Sequence, residues 1–248
     1  MLLEWIAVGG IGALVGFAGG VFGLGGGIIA IPALVMIFGL DQQIAQGTTF
    51  LMVAPNALLG IWHYYQHGSI DRRYAAMLAT CGLIGGYAGT HMALTLDAHE
   101  LRRFFSLFLL ALIAYLAWRE LTPPPRARAR PADWRWASLV GIFCGWLTGF
   151  VTVGGAITSP PLLTRFFGLK QQQAQGLALA IVAPSALISL ATYGAHNQVD
   201  WNLGVPLCIG AMLTMRAGVA VAHRLPERTL RRSFYVLLAV IAVLMFLR

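Results

Sequence analysis

The chain has 248 residues, of which 58% are hydrophobic and only 10% are charged, and its formal net charge at pH 7 is +8. Soluble domains carry about 25% charged residues, so this chain lacks the polar side chains that a water-facing surface needs. The composition therefore excludes an ordinary soluble domain and predicts a polytopic membrane protein. The same hydrophobicity argues against nucleic-acid binding as the origin of the positive charge.

Membrane-spanning segments are predicted from the N-terminus onwards. Residues 1–17 contain Glu4 and no basic residue, so they are interpreted as the start of the first membrane segment and not as a signal peptide of the usual kind. Further apolar stretches approach the length of about 20 residues that spans a bilayer. The clearest are residues 44–65, 74–96, 104–118, 173–193, 203–222 and 233–247.

The first segment, residues 5–39, is too long for one ordinary span and is interrupted by glycines followed by a proline, "GLGGGIIAIP". Glycine permits a helix break and a sharp reversal, and proline suits the first turn of the next helix. We expect two half-helices that meet near the bilayer centre, with free N–H groups and positive dipole ends that face a polar cavity suited to an anion. A nucleotide site is not indicated, because no P-loop lysine follows the glycines.

Gly12, Gly16 and Gly20 precede this break at intervals of four residues. Such a small-xxx-small pattern lets two helix backbones approach closely in a membrane. We interpret these three glycines as a packing ridge and not as part of a binding site.

The phrase "GLDQQIAQG", residues 39–47, returns as "GLKQQQAQG" at residues 168–176, with seven of nine residues identical and an offset of 168 − 39 = 129. The same offset brings the glycine ridge and a later Ala-Pro pair onto identical residues: Gly141, Gly145, Gly149, Ala183 and Pro184. The chain is therefore predicted to contain a first transmembrane repeat (1–119), a Pro- and Arg-rich linker (120–134) and a second transmembrane repeat (135–248). Duplicated halves are the usual build of secondary transporters.

The orientation of the two repeats depends on how the first segment of each one folds. A continuous broken helix would leave eight Lys and Arg residues on each side of the membrane. A hairpin that returns to the same face would leave thirteen on one side and three on the other, with Arg216 omitted from both counts. The positive-inside rule favours the hairpin. The predicted fold is an all-α polytopic membrane protein built as an inverted repeat, in which a glycine-broken hairpin precedes three transmembrane helices in each half, with the linker cytoplasmic and both termini outside.

Uncharged polar residues follow the break in each repeat. Gln46-Gly47 and Gln175-Gly176 lie one turn inside the next helix, where their amides could bind a ligand or cap helices, and both interpretations stay open. The two copies differ in their hydroxyl groups, because Thr48-Thr49 corresponds to Leu177-Ala178 and Thr158-Ser159 corresponds to Ile29-Ala30. A pocket between the halves would therefore be asymmetric.

Charged residues are nearly absent from the predicted spans. All nine acidic residues fall at segment ends or in loops, which argues against a cation or proton pump with a midplane carboxylate. Arg216 is the one basic residue well inside a span, and it is either an oxyanion ligand or a side chain that reaches a carbonyl or the membrane surface. Enzyme activity is not indicated, because the chain lacks HExxH, GxSxG and paired midplane aspartates.

The two related halves, together with "GLGGGIIAIP" in the first segment and "AQGTT" at the start of the next helix, resemble the sulfite exporter TauE/SafE family of membrane proteins. The resemblance covers the whole chain. It implies a multi-pass inner-membrane permease for sulfur-containing anions such as sulfite, sulfonates or sulfoacetate. A passive anion channel is the main alternative to a secondary transporter, and a non-transporting assembly partner is another.

The anion is expected near mid-membrane between the two broken segments, where several donors can replace its water. No catalytic residue, metal site or cofactor is expected. The expected partners are the small anion and the lipid bilayer, with no nucleic acid, and a homodimer stays open. The predicted substrate-binding residues are Gly25, Gly26, Gly27, Gln46, Gly47, Thr48, Thr49, Gly154, Gly155, Ala156, Ser159, Gln175, Gly176 and Arg216.

Overall fold

The computed structural model describes residues 2–22, 26–66, 72–121, 134–169, 171–222 and 227–247. In these ranges all regular structure is α-helical, as the composition predicts. The ten helices are α1 (Leu2–Phe22), α2 (Gly27–Ile37), α3 (Gln42–Gln66), α4 (Arg72–Thr95), α5 (Ala98–Leu121), α6 (Trp134–Val151), α7 (Gly154–Phe167), α8 (Gln171–Ala195), α9 (Trp201–Ala222) and α10 (Glu227–Leu247). Most of the predicted linker lies outside the described residues, and the inverted relation of the two halves stays a prediction.

The 129-residue offset is visible in the helix boundaries. Helices α3, α4 and α5 begin at residues 42, 72 and 98, and α8, α9 and α10 begin at residues 171, 201 and 227, so each pair differs by 129. The helices of the broken first segment deviate from this rule, because α2 begins at residue 27 and α7 at residue 154, a difference of 127. The repeat therefore extends from sequence to helix pattern, and the two copies differ most at the breaks.

The breaks divide the first segment of each half into unequal helices. Helix α1 has 21 residues, which corresponds to roughly 30 Å at 1.5 Å per residue, whereas α2 has 11 residues and α7 has 14. Two separate helices flank the first glycine cluster, but α1 has the length of a full span and not of a half-helix. Pro32 also lies inside α2 and not in its first turn, because α2 already begins at Gly27.

The predicted spans differ in length and hydropathy, and the apolar ones form a long group and a short group. By length and composition, two described helical stretches are long and apolar enough to cross a membrane, Gln42–Trp62 and Gln172–Ala195. Shorter apolar stretches are Trp5–Val21, Gly27–Ile37, Trp136–Val151 and Ser233–Met245. The predicted spans in α4, α5 and α9 belong to neither group. Polar residues such as His91 in α4 and Arg216 in α9 lower the mean hydropathy of these helices.

The described helices form two compact units that do not coincide with the two sequence copies. Unit 1 contains α1, α2, the start of α3 as far as Thr49, α5, α9 and α10. Unit 2 contains α3 from Phe50 onwards, α4, α6, α7 and α8. Each unit thus takes helices from both copies, and α1 packs on α9 in unit 1 while α4 packs on α6 in unit 2.

The glycine ridge forms these helix contacts, as predicted. A Cβ atom on Gly12 would lie 2.7 Å from Cα of Leu207, and one on Gly145 would lie 2.7 Å from Cα of Gly82. Real Cβ atoms do not approach a backbone so closely, so glycine is required where α1 meets α9 and where α6 meets α4. The apolar core of unit 2 lies where α4, α6, α7 and α8 meet, and its buried residues include Leu78, Cys144, Leu163, Phe167, Leu177 and Ile181.

Candidate anion site at the start of helix α7

The turn between α6 and α7 has an unusual backbone. The Val153 N–H donates to the carbonyl of Val151 at 2.9 Å, which closes a three-residue turn around Thr152. Thr152 has a φ of 69°, a left-handed conformation that is rare for a β-branched residue. A turn of this type is itself rare and strained. The chain therefore changes direction at a residue type that ordinarily avoids this conformation.

The Thr152 side chain is enclosed as well as strained. Its exposed fraction is 0%, and its hydroxyl has no hydrogen-bond partner within the described part of the chain. A buried hydroxyl left unpaired costs about 1–3 kcal/mol of stability. Thr152 was not among the predicted site residues. A signal was available in the sequence, because the 129-residue offset places a threonine here against Gly23 in the first copy.

Helix α7 presents backbone donors directly after this turn. Its N-cap residue is Val153, and no side chain caps the helix. The N–H groups of Gly154, Gly155 and Ala156 have no carbonyl partner within α7, because α-helical hydrogen bonds begin one turn further on. The positive end of the helix dipole coincides with these groups. Gly154, Gly155 and Ala156 therefore lie at a helix start, a kind of position that suits an anion.

The glycines at this helix start are explained by packing. A Cβ atom on Gly154 would lie 2.9 Å from Cβ of Leu147, and one on Gly155 would overlap the Thr148 hydroxyl and the Cys144 carbonyl oxygen. Both contacts are with α6. The absence of side chains therefore lets α7 lie directly against α6.

Two hydroxyl groups of α7 are committed within the helix. The Thr158 hydroxyl donates to the Gly154 carbonyl at 2.7 Å, and the Ser159 hydroxyl donates to the Gly155 carbonyl at 2.5 Å. Ser159 is fully buried, and its hydroxyl lies one turn away from the N–H groups at the helix start. Its proton is used inside α7, so a direct role of Ser159 as a donor to an anion would require this bond to break.

Gln175 and Gly176 lie near the start of α8, in the same unit as α7. The Tyr64 hydroxyl donates to Oε1 of Gln175 at 2.7 Å. This bond uses the amide oxygen of Gln175 and none of its N–H groups. Gly176 is buried. The repeated glutamine therefore connects α8 to α3 through its oxygen.

The predicted residues of the first copy belong to unit 1. Gln46, Gly47, Thr48 and Thr49 are buried near the start of α3. The Thr49 hydroxyl donates to the Ala45 carbonyl at 2.7 Å, and the Thr48 hydroxyl accepts a hydrogen bond from the Asp200 N–H at 2.9 Å. The hydroxyl of Thr48 thus holds the residue that precedes α9.

The remaining predicted residues fall into three cases. Gly26 has a φ of 80° and caps α2, and Gly27 is the first residue of that helix. Gly25 lies outside the described residues. The side chain of Arg216 is exposed on α9, so it does not lie in the contact between α9 and α1.

Gln42 is a second buried polar residue that the sequence interpretation missed. The glutamines of the repeated phrase were expected in the connecting turn and its cap, but Gln42 and Gln43 lie in the first turn of α3, where the Gln43 amide donates to the distant Leu96 carbonyl at 2.7 Å. Gln42 has an exposed fraction of 0%, and neither its amide oxygen nor its amide nitrogen has a partner among the described residues. Two adjacent glutamines in the same turn therefore have opposite environments.

Comparison with known proteins identifies the family. The model of the family described as "Sulfite exporter TauE/SafE" matches residues 8–245. A "Probable membrane transporter protein" of Xylella fastidiosa (strain Temecula1) is 29% identical over 240 residues, covering 94% of this chain and 92% of the relative. Relatives with the same description in Haemophilus influenzae and Methanocaldococcus jannaschii are 25% and 23% identical, covering 96% of this chain and 96% and 93% of their own lengths.

No solved structure matches this chain. The relatives are named as transporters and not as enzymes, and the helices of this chain include stretches suited to spanning a membrane. The family match covers nearly the whole chain, including both copies of the repeat and both breaks. The chain therefore belongs to the sulfite exporter TauE/SafE family of membrane transporters.

Proposed function

We propose that this protein is a secondary transporter that moves small sulfur-containing anions, such as sulfite or organosulfonates, across the cell inner membrane. The observation that supports an anion most directly is the start of α7, where uncapped backbone N–H groups and the positive end of the helix dipole follow a buried hydroxyl without a partner. The family description supports the sulfur oxyanion as the substrate class.

The physical requirement for such a site is the replacement of water. An oxyanion that enters a low-dielectric interior loses its hydration, so it needs several hydrogen-bond donors at fixed positions. Backbone N–H groups at a helix start supply donors without a full positive charge. Since Arg216 is exposed, dipoles would carry the binding at α7, and an anion held by dipoles can be released more easily than one held by a buried guanidinium.

The positions of the acidic residues also support a negatively charged substrate. The acidic residues whose side chains the structure describes are all at least partly exposed, and they are Asp41, Asp97, Glu100 and Asp200. A transporter for cations usually keeps a carboxylate inside the membrane. The described interior thus favours negative over positive substrates.

The experiment is uptake of labelled sulfite and methanesulfonate into proteoliposomes that contain the purified full chain. We expect accumulation above the external concentration when an ion gradient is imposed and collapse of this accumulation on addition of an uncoupler. Entry that only equilibrates the anion and ignores the uncoupler would identify a passive channel. Absence of anion entry above that of empty liposomes would contradict the proposal.

The repeated glutamine can be tested in the same assay. Gln175→Leu removes both the amide donors and the bond to Tyr64, whereas Tyr64→Phe removes that bond and leaves the amide donors in place. If the Gln175 amide donates to the anion, Gln175→Leu weakens anion binding by about 1–3 kcal/mol through loss of a buried donor, and Tyr64→Phe leaves it nearly unchanged. Equal effects of the two variants would assign Gln175 to helix packing alone.

A further inference from the structure

We propose that the Thr152 hydroxyl is a direct contact for the SO3 group of the transported anion, acting together with the backbone N–H groups at the start of α7. This inference rests on the proposed function and adds a residue that neither the repeat nor the resemblance assigns. The ligand class is a small oxyanion with at least two acceptor oxygens, one for the hydroxyl and one for the backbone.

The first step is the comparison of the hydroxyl groups near this helix start. Thr148 donates to the Cys144 carbonyl at 2.9 Å, and Thr158 and Ser159 donate to carbonyls of the first turn of α7. The Thr152 hydroxyl alone among these four has no partner within the described residues. It is therefore the hydroxyl whose proton is available to a ligand.

The second step is position. Thr152 lies two residues before Gly154, so its side chain projects from the turn that leads directly into the uncapped end of α7. The side chain is completely enclosed, so a ligand that reaches this hydroxyl also enters the surroundings of the helix start. Backbone donors and a side-chain donor thus belong to the same few residues of unit 2.

The third step is the choice of residue type. A glycine would adopt the left-handed conformation at residue 152 without strain, and glycine occupies the equivalent position 23 in the first copy. Threonine at this position is strained, and its hydroxyl is buried without a partner. Strained backbone conformations of this kind concentrate at functional sites. The turn itself requires the positive φ, but it does not require a hydroxyl; a ligand contact accounts for the buried hydroxyl without a partner and for threonine where glycine would form the same turn without strain.

The size of the ligand follows from the enclosure. The hydroxyl oxygen has essentially no solvent-exposed surface, so a ligand must displace neighbouring atoms to reach it, and a compact group requires the least displacement. The SO3 group common to sulfite and short sulfonates meets this condition and presents three acceptor oxygens. A hydroxyl can also accept a hydrogen bond from the protonated form, hydrogen sulfite, so the same contact serves both ionisation states of sulfite.

The experiment measures thermal stabilisation of the purified full chain by sodium sulfite and sodium methanesulfonate, with sodium chloride at equal ionic strength as the reference. The variants are Thr152→Ser, Thr152→Val and Thr152→Gly. Thr80→Val is the matched control, because Thr80 is exposed on α4 and its hydroxyl donates to the Ala76 carbonyl. Loss of one buried donor of about 1.4 kcal/mol corresponds to a tenfold change in the dissociation constant.

We expect Thr152→Ser to bind both anions within about threefold of the parent and Thr152→Val and Thr152→Gly to bind them at least about tenfold more weakly. Thr152→Gly should also raise the melting temperature of the anion-free protein, because it removes the strained side chain. A purely structural threonine would change the melting temperature without changing anion affinity.

Two results would overturn the inference, and only the second would also contradict the proposed anion site. If the parent is stabilised by the anions and Thr152→Val and Thr152→Gly bind as tightly as the parent, Thr152 is not a contact and the transporter proposal stands. If the parent is stabilised no more by sulfite or methanesulfonate than by chloride, the anion site itself is wrong and this inference fails with it. Should Thr152→Val fail to fold, the comparison of Thr152→Ser with Thr152→Gly decides the question.

Discussion

The contact between α1 and α9 in unit 1 and the contact between α6 and α4 in unit 2 are two versions of one interface. A Cβ atom on Gly218 would lie 3.0 Å from the amide nitrogen of Val21, and one on Gly89 would lie 3.0 Å from the amide nitrogen of Phe150. Gly218 and Gly89 are 129 residues apart in the sequence, and so are Phe150 and Val21. Gly89 and Gly218, which are equivalent in the two copies, are thus positions where one helix backbone touches another.

The two interfaces differ in the number of further helices that pack on α4 and on α9. Helix α4 also packs on α8, and Gly86 lies against Ser185, whose Cα would be 2.9 Å from an added Cβ. On α9 the equivalent position holds Met215, which is half-buried. A helix with two close neighbours needs small residues on two faces, and a helix with one close neighbour in its unit needs them on one face. At this position the difference between the copies therefore follows the number of neighbouring helices.

The largest expected effect concerns the ridge glycines that are identical in both copies of the repeat. Gly16→Val and Gly145→Val each place a side chain against the backbone of the opposite helix, which cannot move aside. We expect both variants to lose folded, monodisperse protein after purification, because overpacking at a backbone contact has no side chain to absorb it. Gly10→Val is the control, since an added Cβ at Gly10 meets nothing within 4 Å. Normal yield from either ridge variant would show that the two interfaces are not equivalent.

An intermediate effect is expected where the copies diverge. Gly86→Ala should destabilise the protein by about 1–3 kcal/mol, because the added methyl meets the backbone of α8. Met215→Ala at the equivalent position of α9 should change stability by less, since that side chain is only half-buried. Thermal unfolding of the two variants beside Gly10→Ala measures the difference. Equal losses for Gly86→Ala and Met215→Ala would refute the explanation by number of neighbours.

The smallest effect is expected at a position where one interface has a hydrogen bond. The Thr214 hydroxyl donates to the Ala13 carbonyl at 2.6 Å, and the equivalent residue in the other interface is Gly85, where an added Cβ would overlap the Ile142 carbonyl oxygen. Thr214→Val should cost about 0.6 kcal/mol, the average for such bonds between membrane helices. The reciprocal change, Gly85→Thr, should cost considerably more. A larger loss for Thr214→Val than for Gly85→Thr, in the same unfolding assay, would reverse the comparison.

The sequence was sufficient to predict features that depend on local backbone chemistry. The all-helical fold, a helix break near each glycine cluster and the glycine ridge follow from residue type and spacing. The partners of the ridge were not predictable, because an offset shows that Gly16 and Gly145 are equivalent but not which helix each one contacts.

Thr152 and Gln42 were missed for a related reason. Whether a polar side chain is satisfied depends on all the atoms around it, and Gln42 and Gln43 are identical in type and adjacent in sequence. Thr152 also depends on where the turn falls. Among the described residues at the two breaks, the one with a positive φ is Gly26 in the first copy and Thr152 in the second, and the offset of 129 does not relate these two positions.

Each unit combines helices from both copies, and this has a consequence for the order of folding. The partners α4 and α6 are separated by 134 − 95 = 39 residues, whereas α1 and α9 are separated by 201 − 22 = 179 residues. At a synthesis rate of about 5–20 residues per second, α1 waits roughly 10–35 s before the residues of its partner have been made. During this time the carbonyl groups along its glycine face are without the helix that later covers them. Unit 2 can assemble while the chain is still being made, and unit 1 closes last, so the first helix to be synthesised is among the last to be packed.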